Sequence, residues 1–352
     1  MCALRPAGWR CGMDALSPGR EVAMQDSNGF WRVRRRCGTL TLADFVFAAD
    51  ELRAPAENEI TIHTRYIALD PYLARAMRNW TGEVPEWADG TIHGRIVGEV
   101  LSSQAPGYAV GDTVLAIGRW QAVQTLAAAR AEVISPAINP PRLALGVLGR
   151  SGMTAWVGLH LARPSTGETL LVSAASGPVG SVVGQLGKAR GLRVVGTAGG
   201  ADKCAYVVDT LGFDACLDHL DPDLAGRIAA AAPNGIDILF ENVGGPSLDA
   251  ALPAMVQGGR IMLCGLAAHY NDEAPLALRH FKTLLYRALT LRGFITAEHP
   301  ELFEPARAEL ADGIASGTIV HRETIIDRLE QAPAAYLNML QGAGIGKRLI
   351  RL

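Results

Sequence analysis

Two different patterns of hydrophobic and polar positions divide the chain. From about residue 28 to residue 140, short apolar runs are separated by glycine-containing turns, as in residues 59–66 and 94–101. Alternation of apolar and polar positions with a period of two is typical of half-buried strands. This part is therefore predicted to be a small, barrel-like, all-β domain.

From about residue 145 the pattern changes to alternating strands and helices. Six short apolar runs have the length of buried strands, and the segments between them carry apolar residues at helical spacing. This alternation predicts a doubly wound parallel sheet with right-handed connections. The predicted strands cover residues 169–173, 192–197, 216–218, 236–240, 260–264 and 289–294, and the predicted helices lie near residues 178–190, 202–211, 223–232, 247–256 and 278–287.

The end of the chain is predicted to return to the first domain. A helix over residues 305–316, a strand near 318–322 and a helix ending near Leu340 precede a final strand over 348–352. The parallel sheet would then be an insertion in a split domain. We expect residues 26–143 and 298–352 to form the catalytic domain and residues 144–297 the dinucleotide-binding domain. Residues 1–25 are expected to be a disordered leader, with Met13 or Met24 as alternative starts.

Composition fits this two-domain interpretation. The 352 residues are 49% apolar and 19% charged, which is typical of a folded globular protein. A net charge of −2 gives no basic surface for nucleic acid, and no apolar run is long enough to cross a membrane. The six cysteines are scattered, with no C-x-x-C pair, which favours reduced thiols and a cytoplasmic location.

The turn after the first strand of the parallel sheet is a candidate phosphate site. Ala174, Gly177 and Gly180 form an A-x-x-G-x-x-G variant of the dinucleotide-binding motif, between an apolar run and a helical pattern. A strand that turns through glycines into a helix presents free N–H groups and a positive dipole end to a pyrophosphate. The alternative is an ordinary strand–helix turn.

The second strand of this sheet indicates which dinucleotide is bound. Its end, residues 194–200, lacks the acidic residue that binds the ribose 2′-hydroxyl in sites for NAD. Asp202 is interpreted as a helix-start acid, and Lys203 suits a 2′-phosphate. The sequence therefore favours NADP, although a solvated surface lysine is the alternative interpretation of Lys203.

Together these motifs resemble the zinc-independent medium-chain dehydrogenase/reductases, most closely the branch of leukotriene B4 12-hydroxydehydrogenase and the prostaglandin and alkenal reductases. The resemblance covers roughly residues 28–352. It is carried by LDPYL at 69–73, GMTA at 152–155, AASGPVG at 174–180, GGADK at 199–203, ENVGG at 241–245, CGLAAHYN at 264–271, GFIT at 293–296 and GK at 346–347.

The resemblance implies a GroES-like β-barrel split around a Rossmann domain, NADPH as cofactor, a homodimer, and a small-molecule enone or enal as substrate. Hydride would go to the β-carbon, and the enolate would be stabilised without a metal. Tyr270 is the expected catalytic residue, and Tyr72 is a candidate substrate contact, although packing between the domains explains Tyr72 equally well. The expected cofactor-binding residues are Met153, Thr154, Gly177, Pro178, Val179, Gly180, Gly199, Lys203, His219, Asn242, Cys264, Gly265, Leu266, Tyr270, Phe294, Ile295 and Gly344.

Some positions depart from the family pattern. His219 stands where a cofactor-contacting tyrosine is common, and Gly344 stands where asparagine is common. Both departures leave the affinity for the cofactor open. Where zinc-dependent relatives have Gly-His-Glu, this chain has His93-Gly94-Arg95, so no metal site is expected.

The phenol of Tyr270 is expected to donate a hydrogen bond to the carbonyl oxygen as negative charge develops there. The alternative is that Tyr270 only packs against the nicotinamide. Two other functions stay open. One is an NADPH:quinone oxidoreductase of the same superfamily, which would not need the His-Tyr-Asn segment after Cys264. The other is a catalytically idle NADPH-binding module.

Overall fold

The computed structural model describes residues 28–34, 38–78, 89–271 and 275–352. The expected leader, residues 1–25, lies outside this range. Within the described residues, no helix combines the length and the apolar character needed to cross a membrane.

The first structural unit is a mixed sheet built mainly from antiparallel strands. Numbered along the chain, the strands of this unit are β1 (Gly29–Val33), β2 (Phe45–Ala49), β3 (Glu59–Ala68), β4 (His93–Ser103), β5 (Thr113–Arg119), β6 (Val123–Ala127), β7 (Ala131–Val133), β14 (Glu323–Asp327) and β15 (Lys347–Arg351). The strand order in the sheet is β14-β15-β3-β4-β5-β7, with β6 paired to β3, and β1 and β2 form a separate hairpin.

The apolar positions of the alternating pattern form the core of this sheet. Ile60 and Ile62 of β3 are fully buried in one cluster with Trp120 and Tyr336. Helix α1 (Leu73–Arg78) covers the same cluster through Leu73, Ala74 and Met77. The isoleucines of the period-two pattern in β3 therefore face the core.

The second unit is a six-stranded parallel sheet with the order β10-β9-β8-β11-β12-β13. The strand order reverses at β8, and ligands of doubly wound sheets bind beyond the carboxyl ends of the strands at such a point. The strands are β8 (Thr169–Val172), β9 (Arg193–Ala198), β10 (Ala215–Asp218), β11 (Ile236–Glu241), β12 (Met255–Leu263) and β13 (Thr290–Gly293). The helices that accompany the sheet are α2 (Arg150–Leu161), α3 (Gly180–Ala189), α4 (Ala201–Ala205), α5 (Leu224–Ala231), α6 (Gly245–Ala251) and α7 (Thr283–Tyr286).

Both faces of the parallel sheet are buried, which explains its unbroken apolar runs. Leu170 and Val172 of β8 pack into one cluster with α3, whereas Leu171 between them packs into another cluster with Leu224 and Ile228 of α5. A strand covered on both faces has no polar side, so its sequence reads as continuous rather than alternating.

The six predicted parallel strands are all present, but the predicted strand over 318–322 is wrong. Helix α8 (Phe303–Ala315) ends just before this segment, and the next strand, β14, begins only at Glu323. The backbone of Val320 is bonded at both groups by the side-chain amide of Gln185, at 2.7 and 2.9 Å, and the Ile319 N–H donates to the Gly313 carbonyl at 2.9 Å. These bonds satisfy backbone groups that a strand would pair with a neighbouring strand.

The final strand returns to the first sheet, as expected. It follows helix α9 (Ala332–Leu340) and pairs antiparallel with β3. The Lys347 ammonium forms a buried ion pair with the Asp70 carboxylate. One residue earlier, the Gly346 N–H donates to the Ser176 carbonyl at 2.8 Å. The closing strand therefore brings the 341–346 loop against the glycine turn of the parallel sheet.

Candidate active site

The glycine turn between β8 and α3 is tightly closed. Ala174 has φ of +50°, a left-handed conformation that is uncommon for alanine and normal for the glycine it replaces in the motif. The Gly177 N–H donates to the Ala174 carbonyl at 2.9 Å. A Cβ added to Gly180 would lie 2.5 Å from the same carbonyl oxygen, so this position requires glycine. Helix α3 begins at Gly180. The N–H groups of Ser181, Val182 and Val183 donate to the Gly177 and Val179 carbonyls, so an anion at this turn would meet the positive end of the helix dipole.

The end of β9 lies beside this turn and is also rich in glycine. A Cβ on Gly199 would lie 2.9 Å from Cε1 of His219, so the imidazole packs directly on that glycine. The Asp218 carboxylate accepts from the Gly200 N–H at 3.1 Å and the Leu220 N–H at 3.0 Å. The acid nearest to the end of β9 is thus engaged with the backbone.

Lys203 reaches from α4 to the 341–346 loop, where its ammonium donates to the Gly342 carbonyl. Partial burial and the charge of Arg348 lower the pKa of Lys203. In the same loop, Gly344 has φ of +83°, and the Arg348 guanidinium lies against it. We call the space beyond the carboxyl ends of the parallel strands the crevice. The structure brings Gly177, Lys203 and Gly344 to one end of it, although they are far apart in sequence.

The middle of the crevice is held by a buried carboxyl group that the sequence analysis did not single out as functional. Oε1 of Glu241 accepts from the Ser173 hydroxyl at 2.9 Å, the Val243 N–H at 2.6 Å and the Gly244 N–H at 2.7 Å. Burial raises the pKa of Glu241, and these hydrogen bonds oppose the shift. The Asn242 side chain donates to the Ser173 carbonyl at 2.7 Å. The sequence signal that could have identified Glu241 is an acidic residue at the end of an apolar run.

The turn after β12 is anchored on the same glutamate. The N–H groups of Cys264 and Gly265 both donate to the Glu241 carbonyl, at 2.8 and 3.1 Å. Burial, with the nearby charge of Glu241, raises the pKa of Cys264 to about 12. The thiol is therefore protonated at neutral pH, and Cys264 is a wall residue rather than a nucleophile.

Tyr270 folds back over this turn. Its hydroxyl oxygen accepts a hydrogen bond from the Leu266 N–H at 3.3 Å, and its carbonyl accepts from Nη1 of Arg78 at 3.0 Å. Its ring packs against the core cluster of the first sheet. Burial raises the pKa of Tyr270, so the phenol keeps its proton at neutral pH and has that proton to donate.

Tyr72 follows β3 and leaves 37% of its surface exposed. The Arg150 guanidinium lies 4.8 Å from the centre of its ring, and burial of the phenol raises the pKa of Tyr72. Arg150 begins α2, the helix that also carries Met153 and Thr154. The Thr154 hydroxyl lies 2.9 Å from that of Thr296.

Several expected cofactor contacts have side chains that pack with the core of the parallel sheet. The Phe294 ring packs edge-on against Phe240, with centroids 6.1 Å apart, and Ile295 is 57% exposed. Met153 is buried in the core of the parallel sheet, and Val179 packs against that core. Within the described residues, no group of three or more His, Cys, Asp or Glu side chains is placed to hold a metal ion.

Comparison with known proteins shows similarity over nearly the whole chain. Residues 30–134 match the family model described as the N-terminal domain of oxidoreductase, and residues 178–312 match the model described as zinc-binding dehydrogenase. The chain is 38% identical over 324 residues to an NADPH-dependent curcumin reductase of Escherichia coli, which covers 88% of this chain and 92% of the relative. It is 34% identical over 306 residues to a 2-alkenal reductase (NADP(+)-dependent) of Nicotiana tabacum, covering 85% and 89%.

A solved structure has the same architecture. The fold matches that of CurA from Vibrio vulnificus in complex with NADPH with a TM-score of 0.85 and 34% sequence identity, over 92% of this chain and 99% of that one. The expected fold class, a GroES-like β-barrel with a Rossmann-type doubly wound sheet, is therefore confirmed.

Proposed function

The chain belongs to the alkenal and prostaglandin reductase branch of the medium-chain dehydrogenase/reductases, and from this premise we propose that it reduces the carbon–carbon double bond of α,β-unsaturated ketones and aldehydes with NADPH. The placement of Tyr270 carries this proposal. A half-buried, protonated phenol lies on the turn after β12, at the same sheet edge as the glycine turn.

The residues at this edge fit NADPH. The glycine turn leaves no room for a side chain at Gly180, while Gly200 has φ of +86° and open space above it. At the far end of the crevice, Nε of Arg348 is buried without a hydrogen-bond partner among the described residues. Close backbone approach and unneutralised positive charge are what a phosphorylated dinucleotide requires. When bound, NADPH supplies the hydride that is delivered to the β-carbon of the substrate.

We assign the two halves of the cofactor to the two ends of the crevice. The turn from Gly177 to Gly180, with Pro178 and Val179, holds the pyrophosphate. Gly199, His219, Lys203 and Gly344 surround the ribose that carries the 2′-phosphate. The nicotinamide half lies at the opposite end of the crevice from the 2′-phosphate. The residues that we assign to this end are Met153, Thr154, Asn242, Cys264, Gly265, Leu266, Tyr270, Phe294 and Ile295.

Tyr270 stabilises the charge that develops on the substrate carbonyl oxygen. Its phenol donates a hydrogen bond there, and one well-placed donor of this kind contributes about 2.7–4 kcal/mol. The resulting enolate takes up a proton at the α-carbon, for which the Tyr270 hydroxyl is the nearest proton source that we assign. Tyr72 borders the substrate from the first domain.

We further propose a cytoplasmic homodimer with the domain limits expected from the sequence, 26–143 with 298–352 and 144–297. Strand β13 is an outer strand of the parallel sheet and all four of its residues are exposed. Leu285 and Tyr286, at the end of α7 and shortly before β13 in the chain, are 79% and 72% exposed. An unpaired, partly apolar edge favours pairing with the same edge of a second copy. A mass of two chains in light scattering tests this arrangement.

The function is tested by NADPH consumption with a panel of enones, enals and quinones, with NADH as the cofactor control. Rapid oxidation of NADPH by enones or enals supports the proposal. Oxidation by quinones alone would make the chain a quinone reductase. Tight binding of NADPH without oxidation by any member of the panel would leave a catalytically idle binding module.

A further inference from the structure

We propose that Arg348 is a second cation for the 2′-phosphate of NADPH, and that glycine at position 344 provides the space for its guanidinium. This inference rests on the proposed placement of the 2′-phosphate at Lys203. It also explains the departure from the family pattern at Gly344.

Arg348 is a buried charge for which the described residues supply no counterion. Only 8% of the residue is exposed, and Nη1 donates to the Ala335 carbonyl of α9 at 3.0 Å. Nε is buried and has no hydrogen-bond partner, and among the described acidic residues none forms an ion pair with this guanidinium. A buried cation with an unpaired N–H group is energetically unfavourable unless an anion binds to it. Burial lowers the pKa of Arg348, consistent with that cost.

Gly344 is the residue that gives the guanidinium its position. A Cβ at Gly344 would lie 2.5 Å from Nη2 and 2.7 Å from Nε of Arg348. Any side chain at this position, including the asparagine common in the family, would displace the guanidinium. The guanidinium of Arg348 can therefore occupy this position only because residue 344 is glycine and not asparagine.

Lys203 and Arg348 converge on the same short loop. The Lys203 ammonium is bonded to the Gly342 carbonyl, and Arg348 packs under Gly344 two residues later. Burial, and after it the nearby charge of Arg348, lower the pKa of Lys203, so the two cations lie close enough to repel each other. The loop is tied to the glycine turn by the bond from the Gly346 N–H to the Ser176 carbonyl.

The Asp218 carboxylate, at the end of β10, does not neutralise the pair. Asp218 is engaged with the Gly200 and Leu220 N–H groups, and its remaining neighbour is the His219 imidazole at 4.0 Å. Two cations that contact the same loop, which is itself bonded to the glycine turn, are suited to a dianion. A phosphate monoester carries close to two negative charges at neutral pH.

The test is calorimetric binding of 2′,5′-ADP and 5′-ADP, two probes that share the adenosine and differ in whether they carry the 2′-phosphate. We compare Arg348→Met and Lys203→Met with Arg351→Met, a matched change on the same strand at a residue paired with Asp327 on the surface. We expect Arg348→Met and Lys203→Met each to weaken 2′,5′-ADP by about tenfold or more while changing 5′-ADP by less than about twofold. Arg351→Met should leave both affinities unchanged.

An equal loss for both probes, or no loss, in Arg348→Met would overturn the assignment and leave Arg348 as a support for α9 alone. If Lys203→Met has no effect while Arg348→Met does, the proposed placement of the phosphate at Lys203 is wrong instead. Gly344→Ala keeps the arginine but displaces its guanidinium. We expect it to lower the preference for 2′,5′-ADP in the parent and to have little further effect in Arg348→Met, and additive losses would contradict the proposal.

Discussion

The hydroxyl oxygen of Tyr270 accepts a hydrogen bond from the N–H of Leu266, 3.3 Å away and four residues earlier in the same turn. Because the oxygen acts as acceptor there, the phenolic proton points elsewhere and is free to be donated. The raised pKa of Tyr270 keeps that proton in place at neutral pH. The turn thus fixes both the position and the protonation state of the group that we assign to the substrate carbonyl.

Replacing Tyr270 with phenylalanine removes this donor and keeps the ring. We expect kcat with an enone to fall by about a hundredfold or more, because one oriented donor contributes about 2.7–4 kcal/mol in the transition state. The Kd for NADPH should change by less than about twofold. Steady-state rates and fluorescence titration with NADPH give the two numbers. Tyr286→Phe, at an exposed tyrosine of α7, is the control. Unchanged turnover in Tyr270→Phe would leave Tyr270 a packing residue.

Reversing the charge at Lys203 tests cofactor preference. Lys203→Glu places a carboxylate where we assign the 2′-phosphate, so we expect the Kd for NADPH to rise by roughly 10- to 100-fold and the Kd for NADH to change little. Lys282→Glu, at an exposed lysine before α7, should alter neither value. Equal losses for the two cofactors in Lys203→Glu would refute the assignment to NADP.

The two glycines of the turn should respond differently to alanine. A Cβ at Gly180 meets backbone at 2.5 Å, whereas at Gly177 the nearest atom is 3.1 Å away. We expect Gly180→Ala to lower Tm of the ligand-free protein, and Gly177→Ala to leave Tm nearly unchanged while weakening NADPH. Calorimetric scans and titration of each variant measure the two effects. Weak NADPH binding with unchanged Tm in Gly180→Ala would be inconsistent with this geometry.

Glu241 makes stability depend on pH in a defined direction. Because burial raises its pKa above the ordinary value of 4.5, the protonated form stabilises the folded state, and this contribution is lost as pH rises from 4.5 through the raised value. Glu241→Gln keeps an acceptor for the Val243 and Gly244 N–H groups and does not ionise. We expect the free energy of unfolding of the variant, relative to the parent, to increase with pH.

Urea unfolding at several pH values measures this difference. Glu57→Gln, at an exposed glutamate on the loop before β3, should show no such trend. A difference between Glu241→Gln and the parent that stays constant across the range would mean that the Glu241 carboxyl has the same pKa in the folded and unfolded chains.

Local patterns predict the strands of the parallel sheet because each buried run is bounded by its own turn. The segment 318–322 has an equally plausible local pattern, yet its backbone bonds to the side chain of Gln185, 135 residues away in sequence. No window of the sequence contains both partners. For the same reason, the inward packing of the Phe294 ring on Phe240 could not be read from the motif that contains it.

In the candidate site too, some features are set by adjacent residues and others by contacts between residues distant in sequence. The turn at Gly177 and Gly180 is encoded by adjacent residues and could be predicted. The encounter of Lys203 with Arg348 depends on how the last strand crosses back to the first sheet, so the arginine gave no sequence signal. Gly344 did give one, as a departure from the family pattern, but its meaning is visible only with the guanidinium packed against it.

Delivery of hydride from NADPH to the β-carbon of an activated double bond is the step on which the proposed function depends. It is tested by supplying NADPH deuterated at C4 of the nicotinamide, on the transferred face, together with a simple enone and locating the label in the product by NMR. We predict a saturated ketone with deuterium on the β-carbon. Deuterium on the carbonyl carbon of an unsaturated alcohol, or none in the product, would contradict the account.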